Sequence, residues 1–283
     1  MGLITIFARV ACVCAFLLAA DAWAQDERRI FVSSAHPLAT EAGLEVLRRG
    51  GNAVDAAVAV EAMLGLVEPQ SSGLGGGGFM MYYDAASGEV SAFAGRERAP
   101  RGADSRMFLD EHGRPLRRAE AILSGRATGV PGVVSMLHLA HATHGRLAWG
   151  DLFGSAVAVA RDGFVVSPRL ARYVHGDYAQ ARAPDVRRYF SASDGNLVEA
   201  GDTLRNPAYA RFLQRLARQG PSALYRGPTA RRIVARTRAA PLGGAMTLAD
   251  IETYEAEETD ALCRPYRLYL LCAPAPPASG GGL

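Results

Sequence analysis

An arginine at the end of a predicted strand is the first residue whose position suggests chemistry. Arg96 directly follows the strand "EVSAFA", in the segment "FAGRERAP". The end of a strand beside a hairpin is a rigid place from which to hold a side chain. A guanidinium held there can bind a carboxylate through two parallel hydrogen bonds. The alternative is an exposed loop arginine that pairs with its neighbour Glu97.

A run of four glycines lies upstream of this arginine, in "SSGLGGGGFMMYYD" (residues 71–84). Gly73, Gly75 and Gly78 fit the pattern G-x-G-x-x-G, which binds dinucleotides when it follows a strand and opens a helix. Here the order is reversed, because a predicted helix precedes the glycines and a predicted strand follows them. The G-K-[ST] sequence of a P-loop is also missing. We therefore predict that the glycines let the backbone pass close to another segment as it enters a strand.

Three histidines, His138, His141 and His144, lie on a predicted helix. Neighbouring members share a face, but the set sweeps roughly 120° of the helix, so the three do not converge easily on one metal ion. We interpret them as surface residues of an amphipathic helix. The motifs H-E-x-x-H, G-x-S-x-G and C-x-x-C do not occur in the sequence. The sequence therefore predicts no metal site and no cofactor, and no Ser-His-Asp set is recognisable by spacing.

The elements that position these residues follow from periodicity and from capping signals. Residues 39–49 form a predicted helix that stops at two glycines. Asn52, with Asp55 three residues later, caps a second helix that is apolar almost all round and ends at Pro69. A hairpin follows, in which the turn "AASG" joins the strands in "FMMYYD" and "EVSAFA".

Helices dominate the rest of the chain. They are predicted in "VPGVVSMLHLAHATHG", "GDLFGSAVAVARDGF", "NPAYARFLQRLARQGP" and "GPTARRIVARTRAA". Thr247 and Asp250 repeat the capping-box spacing, and "RPYRLYLLCAP" is then predicted as one strand. This order predicts one domain of the α/β class over residues 25–283.

Two cysteines, Cys263 and Cys272, flank that last strand. On one continuous strand they would lie about 30 Å apart, which is too far for a disulfide unless the chain turns at "RPY". We expect two free, buried thiols.

Composition and the first residues limit the class of protein. The 283 residues are 49% hydrophobic and 21% charged, with a net charge of +3 and scattered arginines, which disfavours nucleic-acid binding. Residues 1–24 combine one arginine, an apolar stretch and the cleavage signal Ala22-Trp23-Ala24, and we interpret them as a signal peptide of a secreted or periplasmic protein. The apolar stretch is shorter than the roughly 20 residues of a membrane-spanning helix, so no stable membrane span is expected.

Four stretches make the chain resemble the γ-glutamyltransferases (glutathione hydrolases), which are N-terminal-nucleophile hydrolases. They are "GGNAVDAAVA", "SSGLGGGGFM", "GRERAP" and "APPASGGGL", beginning at Gly50, Ser71, Gly95 and Ala275. The resemblance implies an α/β (α+β) fold, a four-layer αββα sandwich in which the glycine-rich stretch leads into a central strand. It also implies that this chain is the N-terminal part of the large subunit, so that the sandwich is incomplete here.

The resemblance implies a reaction and a partner as well. The family is made as a precursor that cuts itself into a large and a small subunit. The N-terminal threonine of the small subunit attacks the γ-glutamyl amide of a substrate such as glutathione, with its own α-amine as the base. The γ-glutamyl group then passes to water or to an amine acceptor, while backbone N–H groups stabilise the oxyanion. The threonine and the glycine pair of the oxyanion hole lie downstream of the matched stretches, so no catalytic residue is expected in this chain.

One substrate contact carries over from the family by motif. The arginine of the family's R-E-x-A-P segment binds the α-carboxylate of the γ-glutamyl group, which implies this role for Arg96. In the last matched stretch, Ala278 replaces the first of two serines in the family's P-P-P-S-S-G-G segment, and Ser279 keeps the second. Two alternatives remain open: an acylase of the same fold that removes a glutaryl side chain from a β-lactam nucleus, and a truncated, non-catalytic remnant or binding protein.

Overall fold

The computed structural model of the protein describes residues 30–192, 194–239 and 241–279. The predicted signal peptide, residues 1–24, lies outside the described residues. Helices and antiparallel sheets alternate along the chain, which confirms the predicted mixed class of fold. Among the described residues, no helix has the length and apolar character that crossing a membrane requires.

Two helices open the described chain, as the capping signals predict. Helix α1 spans Pro37–Arg48 and helix α2 spans Ala53–Val67. The side chain of Asn52 accepts the backbone N–H of Asp55, whose carboxylate accepts the N–H of Asn52 in return at 2.9 Å. Asp55 is fully buried, and its carboxylate also accepts the backbone N–H groups of residues 146 and 147, which compensate for the loss of water. The capping box therefore joins the start of α2 to a distant loop.

The predicted hairpin is confirmed and forms most of the main sheet. Strand β1 spans Gly78–Tyr83 and pairs antiparallel with β2, Val90–Gly95. Strand β5, Glu257–Asp260, adds to the other edge of β2, so the strand order is β1-β2-β5. Helix α4, Val133–His144, packs on this sheet, and Phe93 of β2 is completely buried in the core.

The remaining elements surround this helix-on-sheet unit. The other helices are α3 Arg118–Leu123, α5 Gly154–Asp162, α6 Pro168–Val174, α7 Pro184–Tyr189, α8 Pro207–Gln219, α9 Ser222–Tyr225, α10 Gly227–Thr237 and α11 Leu248–Glu252. Two short strands, β3 Phe164–Val165 and β4 Thr203–Leu204, pair with each other. The capping box of Thr247 and Asp250 begins α11, as predicted.

The prediction of one strand with two free thiols near the end of the chain is wrong. Strand β6, Leu262–Tyr266, turns back at Arg267 into β7, Tyr269–Ala273. Cys263 lies directly opposite Cys272 with a Cα–Cα distance of 4.1 Å, and the two form a disulfide. Both cysteines are half-buried rather than buried. The turn lies after "RPY", where it brings the two cysteines into register.

The three histidines of α4 are not the surface residues that we predicted, because each is half-buried against other side chains. His138 packs edge-on against Trp149, and His141 lies 3.0 Å from the Leu147 carbonyl. His144 stacks on the ring of Tyr82 with the centroids 4.2 Å apart. His141 also packs edge-on against Trp149, so His138 and His141 share this neighbour, whereas His144 contacts Tyr82 instead.

Candidate functional site

The glycine run lies between α2 and β1, which confirms that it enters a strand rather than a helix. A Cβ atom on Gly77 would lie 2.5 Å from the Gly95 carbonyl oxygen and 2.6 Å from the Glu97 carboxylate. Such contacts are not tolerated, so only glycine lets the loop pass the end of β2. The interpretation of the glycines as a close backbone passage is therefore correct at this position.

Hydrogen bonds fix the glycine-rich loop on both sides. The carbonyl of Gly76 accepts the N–H groups of Gly132 at 2.9 Å and Val133 at 3.1 Å, where α4 begins. The N–H of Gly73 is donated to Oε1 of Glu61 in α2, at 3.1 Å. The loop is thus held between two helices that both pack into the core.

Arg96 follows β2 directly and lines a cavity of about 860 Å³ beside this loop. Its side chain is 56% exposed, and Nη1 donates to Oε2 of Glu97 at 2.7 Å. The arginine therefore faces the cavity, and it also makes the pair with Glu97 that was the alternative expected from the sequence. An exposed ion pair of this kind contributes little to stability, about 0–1 kcal/mol, so the guanidinium can exchange partners easily.

The backbone around Arg96 is fixed more firmly than its side chain. The carbonyl of Arg96 accepts the Tyr254 hydroxyl at 2.8 Å. The backbones of Arg98 and Val130 hydrogen-bond to each other in both directions, and the Val130 N–H donates to the Arg98 carbonyl at 2.8 Å. The Arg98 guanidinium lies 5.2 Å from the centre of the Tyr254 ring and pairs with Glu257. The segment that carries the arginine is therefore anchored on each side.

Glu61 is a second ionisable residue in the cavity, and our sequence reasoning missed it. Burial raises the pKa of its carboxyl to about 7, while the hydrogen bond from Gly73 works in the opposite direction. Burial, and secondarily the charge of Glu61, raise the pKa of the nearby Tyr209 hydroxyl, which donates to the Ala62 carbonyl at 2.9 Å. The available signal was a single acidic residue within the apolar run "AVAVEAMLGL".

These groups define what the cavity can do. Its described lining contains one cation, Arg96, and two carboxyl groups, those of Glu61 and Glu97. Its hydroxyls are those of Ser71 and Ser72, and no histidine, lysine, cysteine or threonine is among its described lining residues. The site can therefore bind a carboxylate, but among the described residues no hydrogen bond joins the Ser71 or Ser72 hydroxyl to a carboxylate or imidazole that could act as its base, as covalent catalysis by a hydroxyl requires.

Similarity to solved structures defines the class of protein. The crystal structure of Helicobacter pylori gamma-glutamyltranspeptidase matches with a TM-score of 0.82 and 31% identity, covering 89% of this chain and 71% of that one. Cephalosporin acylase from Bacillus halodurans matches less well, with a TM-score of 0.67 and 27% identity, covering 84% of this chain and 44% of that one. The fold is that of the N-terminal-nucleophile hydrolases, as predicted.

Sequence comparison gives the family. The family model described as Gamma-glutamyltranspeptidase matches residues 39–283. The glutathione hydrolase proenzyme of Bacillus subtilis (strain 168) is 36% identical over 250 residues, which is 88% of this chain and 42% of that relative. The chain belongs to the γ-glutamyltranspeptidase family, and it spans less than half the length of this curated relative.

Proposed function

We propose that this chain is the part of a γ-glutamyltransferase, or glutathione hydrolase, that binds the α-carboxylate of the γ-glutamyl group. The observation that carries the proposal is the position of Arg96, at the end of β2 and in the cavity beside the glycine-rich loop. A guanidinium there provides two parallel donors, which match a carboxylate. The weak pairing with Glu97 leaves it available for such a ligand.

The complete reaction needs a partner for this chain. The family comparison supports a small subunit from the same precursor, whose N-terminal threonine would attack the γ-glutamyl amide with its α-amine as the base. The bond from the γ-carbonyl carbon to nitrogen breaks, an ester forms, and water or an amine then takes the γ-glutamyl group. Residues 25–283 would supply Arg96 for binding and no catalytic group, as part of the large-subunit domain.

Export of the protein is part of the same proposal. Residues 1–24 carry the pattern of a signal peptide, which supports a secreted or periplasmic location. The disulfide between Cys263 and Cys272 is consistent with an oxidising compartment. The substrate would then be a γ-glutamyl compound outside the cytosol, such as glutathione.

A glutaryl acylase is the second candidate, because Arg96 would serve equally well for the terminal carboxylate of a glutaryl group. The likeness to the cephalosporin acylase is weaker in both TM-score and identity, which favours the γ-glutamyl reaction. The two substrates differ in one group, since glutaryl lacks the α-amine that γ-glutamyl carries. Rates on γ-glutamyl and glutaryl anilides therefore separate the two candidates.

The proposal is tested with Arg96→Ala in the protein expressed from its complete coding sequence. Loss of a hydrogen-bonded charged contact of about 1.5–3 kcal/mol lowers kcat/KM on a γ-glutamyl anilide by about 10- to 150-fold. The variant should also stop distinguishing this substrate from a 4-aminobutyryl anilide, which lacks the α-carboxylate. Arg236→Ala is the control, because it removes a similarly exposed arginine that pairs with Asp185 and does not line the cavity. Unchanged kinetics in Arg96→Ala would refute the assignment.

A further inference from the structure

Tyr254 lies directly under the segment that carries Arg96. The residue is 8% exposed, and its hydroxyl donates to the Arg96 carbonyl at 2.8 Å. We propose that Tyr254 is a positioning residue for Arg96, which holds the peptide after the arginine so that the guanidinium points into the cavity. The inference rests on the proposed function, since it assumes that Arg96 binds the substrate carboxylate.

The Tyr254 ring is itself held in place by two neighbouring side chains, those of Tyr225 and Arg98. The ring of Tyr225 is parallel to it within 4°, with the centroids 6.0 Å apart. The Tyr225 hydroxyl donates to the Pro131 carbonyl at 3.0 Å and accepts the Ser135 N–H at 3.2 Å, at the start of α4. The guanidinium of Arg98 covers the Tyr254 ring at 5.2 Å. A rigid ring held in this way places its hydroxyl at one point, which a flexible side chain would not do.

The glycines nearby show how closely the hydroxyl must approach. A Cβ atom on Gly132 would lie 2.2 Å from the Tyr254 hydroxyl and 2.2 Å from the Gly95 carbonyl oxygen. A Cβ atom on Gly95 would lie 2.5 Å from the Met136 side chain. The end of β2, the start of α4 and the tyrosine therefore meet without room for side chains, and the hydroxyl reaches the Arg96 carbonyl only because residue 132 is glycine.

The hydroxyl remains a donor under ordinary conditions. Burial raises the pKa of Tyr254, and the neighbouring Arg98 opposes that effect while the carboxylates of Glu97 and Glu257 add to it. Because the pKa is above its usual value of 10.0, the group is protonated at neutral pH and donates to the Arg96 carbonyl. The proposed role thus depends on a neutral hydroxyl and not on a titration.

Tyr254→Phe tests the role because it removes only the hydroxyl. In the protein expressed from its complete coding sequence, KM for a γ-glutamyl anilide should rise about 2- to 10-fold, the equivalent of one hydrogen bond, with a smaller change in kcat. Thr237→Val is the matched control, since its buried hydroxyl also donates to a backbone carbonyl, that of Val234 at 3.1 Å, and Thr237 does not line the cavity. The control should leave KM unchanged.

A double-mutant cycle separates positioning from general loss of structure. In the Arg96→Ala background, Tyr254→Phe should have no further effect on KM, because the group that it positions is gone. Equal KM values for Tyr254→Phe and Thr237→Val, or an effect of Tyr254→Phe that is just as large in the Arg96→Ala background, would overturn the inference while leaving the proposed function intact. An inactive wild type, or an Arg96→Ala variant equal to wild type, would instead refute the proposed function.

Hydrogen exchange tests the positioning role of Tyr254 even if the proposed function is refuted. The peptide covering residues 95–99 should exchange its backbone amides faster in Tyr254→Phe than in Thr237→Val, because the Arg96 carbonyl loses its hydrogen-bond partner. Equal exchange in the two variants would show that Tyr254 does not fix this segment, whatever the enzyme acts on.

Discussion

Glu61 gives the cavity a pH dependence that can be measured as stability. Its carboxyl lines the same cavity as Arg96 and accepts the Gly73 N–H. Burial raises its pKa from an ordinary value of 4.5 to about 7, against the opposing effect of the Gly73 hydrogen bond. The replacement Glu61→Gln keeps the volume and an acceptor for Gly73, but removes the titration.

The sign of the effect follows from which state holds the proton. Between pH 4.5 and about 7 the folded protein binds the Glu61 proton and the unfolded chain does not. The free energy of unfolding therefore falls as the pH rises through this window. One pKa unit corresponds to about 1.36 kcal/mol, so a difference of about 2.5 between the folded and unfolded pKa values changes the free energy of unfolding by about 3 kcal/mol. Glu61→Gln should thus be about 3 kcal/mol more stable than wild type at pH 8, and within about 1 kcal/mol of it at pH 5.

Urea unfolding at pH 5 and pH 8 measures this difference directly. Glu255→Gln is the control, because it removes the charge of an exposed carboxylate outside the cavity lining. The control should change stability by a similar small amount at both pH values. The reasoning is wrong if the gain of Glu61→Gln over wild type is the same at pH 5 and pH 8, or if the variant is the less stable protein at pH 8.

Two further predictions concern the backbone passage and the terminal hairpin. Gly77→Ala should lower stability by about 1–3 kcal/mol, because its Cβ would meet backbone atoms of Gly95 and Glu97. Gly75→Ala is the control and should not lower stability, because its Cβ would meet nothing within 4 Å. Equal melting temperatures of the two variants would contradict this prediction. Replacing Cys263 and Cys272 with serine in protein lacking residues 1–24 should cost about 2–3 kcal/mol, the loop-closure value for a separation of nine residues. Thiol titration of the denatured wild type that finds both thiols free would disprove the disulfide.

The elements whose signals lie within a few residues were predictable from the sequence. The capping box of Asn52 and Asp55 marks the start of α2, and the turn between two apolar runs marks the hairpin of β1 and β2. These features depend on local hydrogen bonds and on side-chain periodicity, which a single sequence displays. The glycine-rich loop was assigned correctly for the same reason, since its flanking elements decide between a phosphate site and a close passage.

Features that depend on distant contacts were not predictable in this way. The turn between β6 and β7 is made at Arg267, with φ of 55°, where glycine or asparagine would have signalled a hairpin. The burial of the α4 histidines depends on Trp149 and Tyr82, which approach from other elements. The raised pKa of Glu61 likewise depends on the loop that covers it, and the run around it shows only an isolated charge.

The position of Arg96 in the chain follows from a local motif, but the contact that holds its backbone comes from Tyr254, 158 residues away. The side chain of Arg96, in contrast, has an exposed partner next to it in sequence, Glu97. A carboxylate that enters the cavity must share or replace that partner, which costs at most about 1 kcal/mol for an exposed pair. A firmly held backbone with a weakly held guanidinium therefore favours ligand binding, because the anchor is set in advance and the exchange of partners costs little.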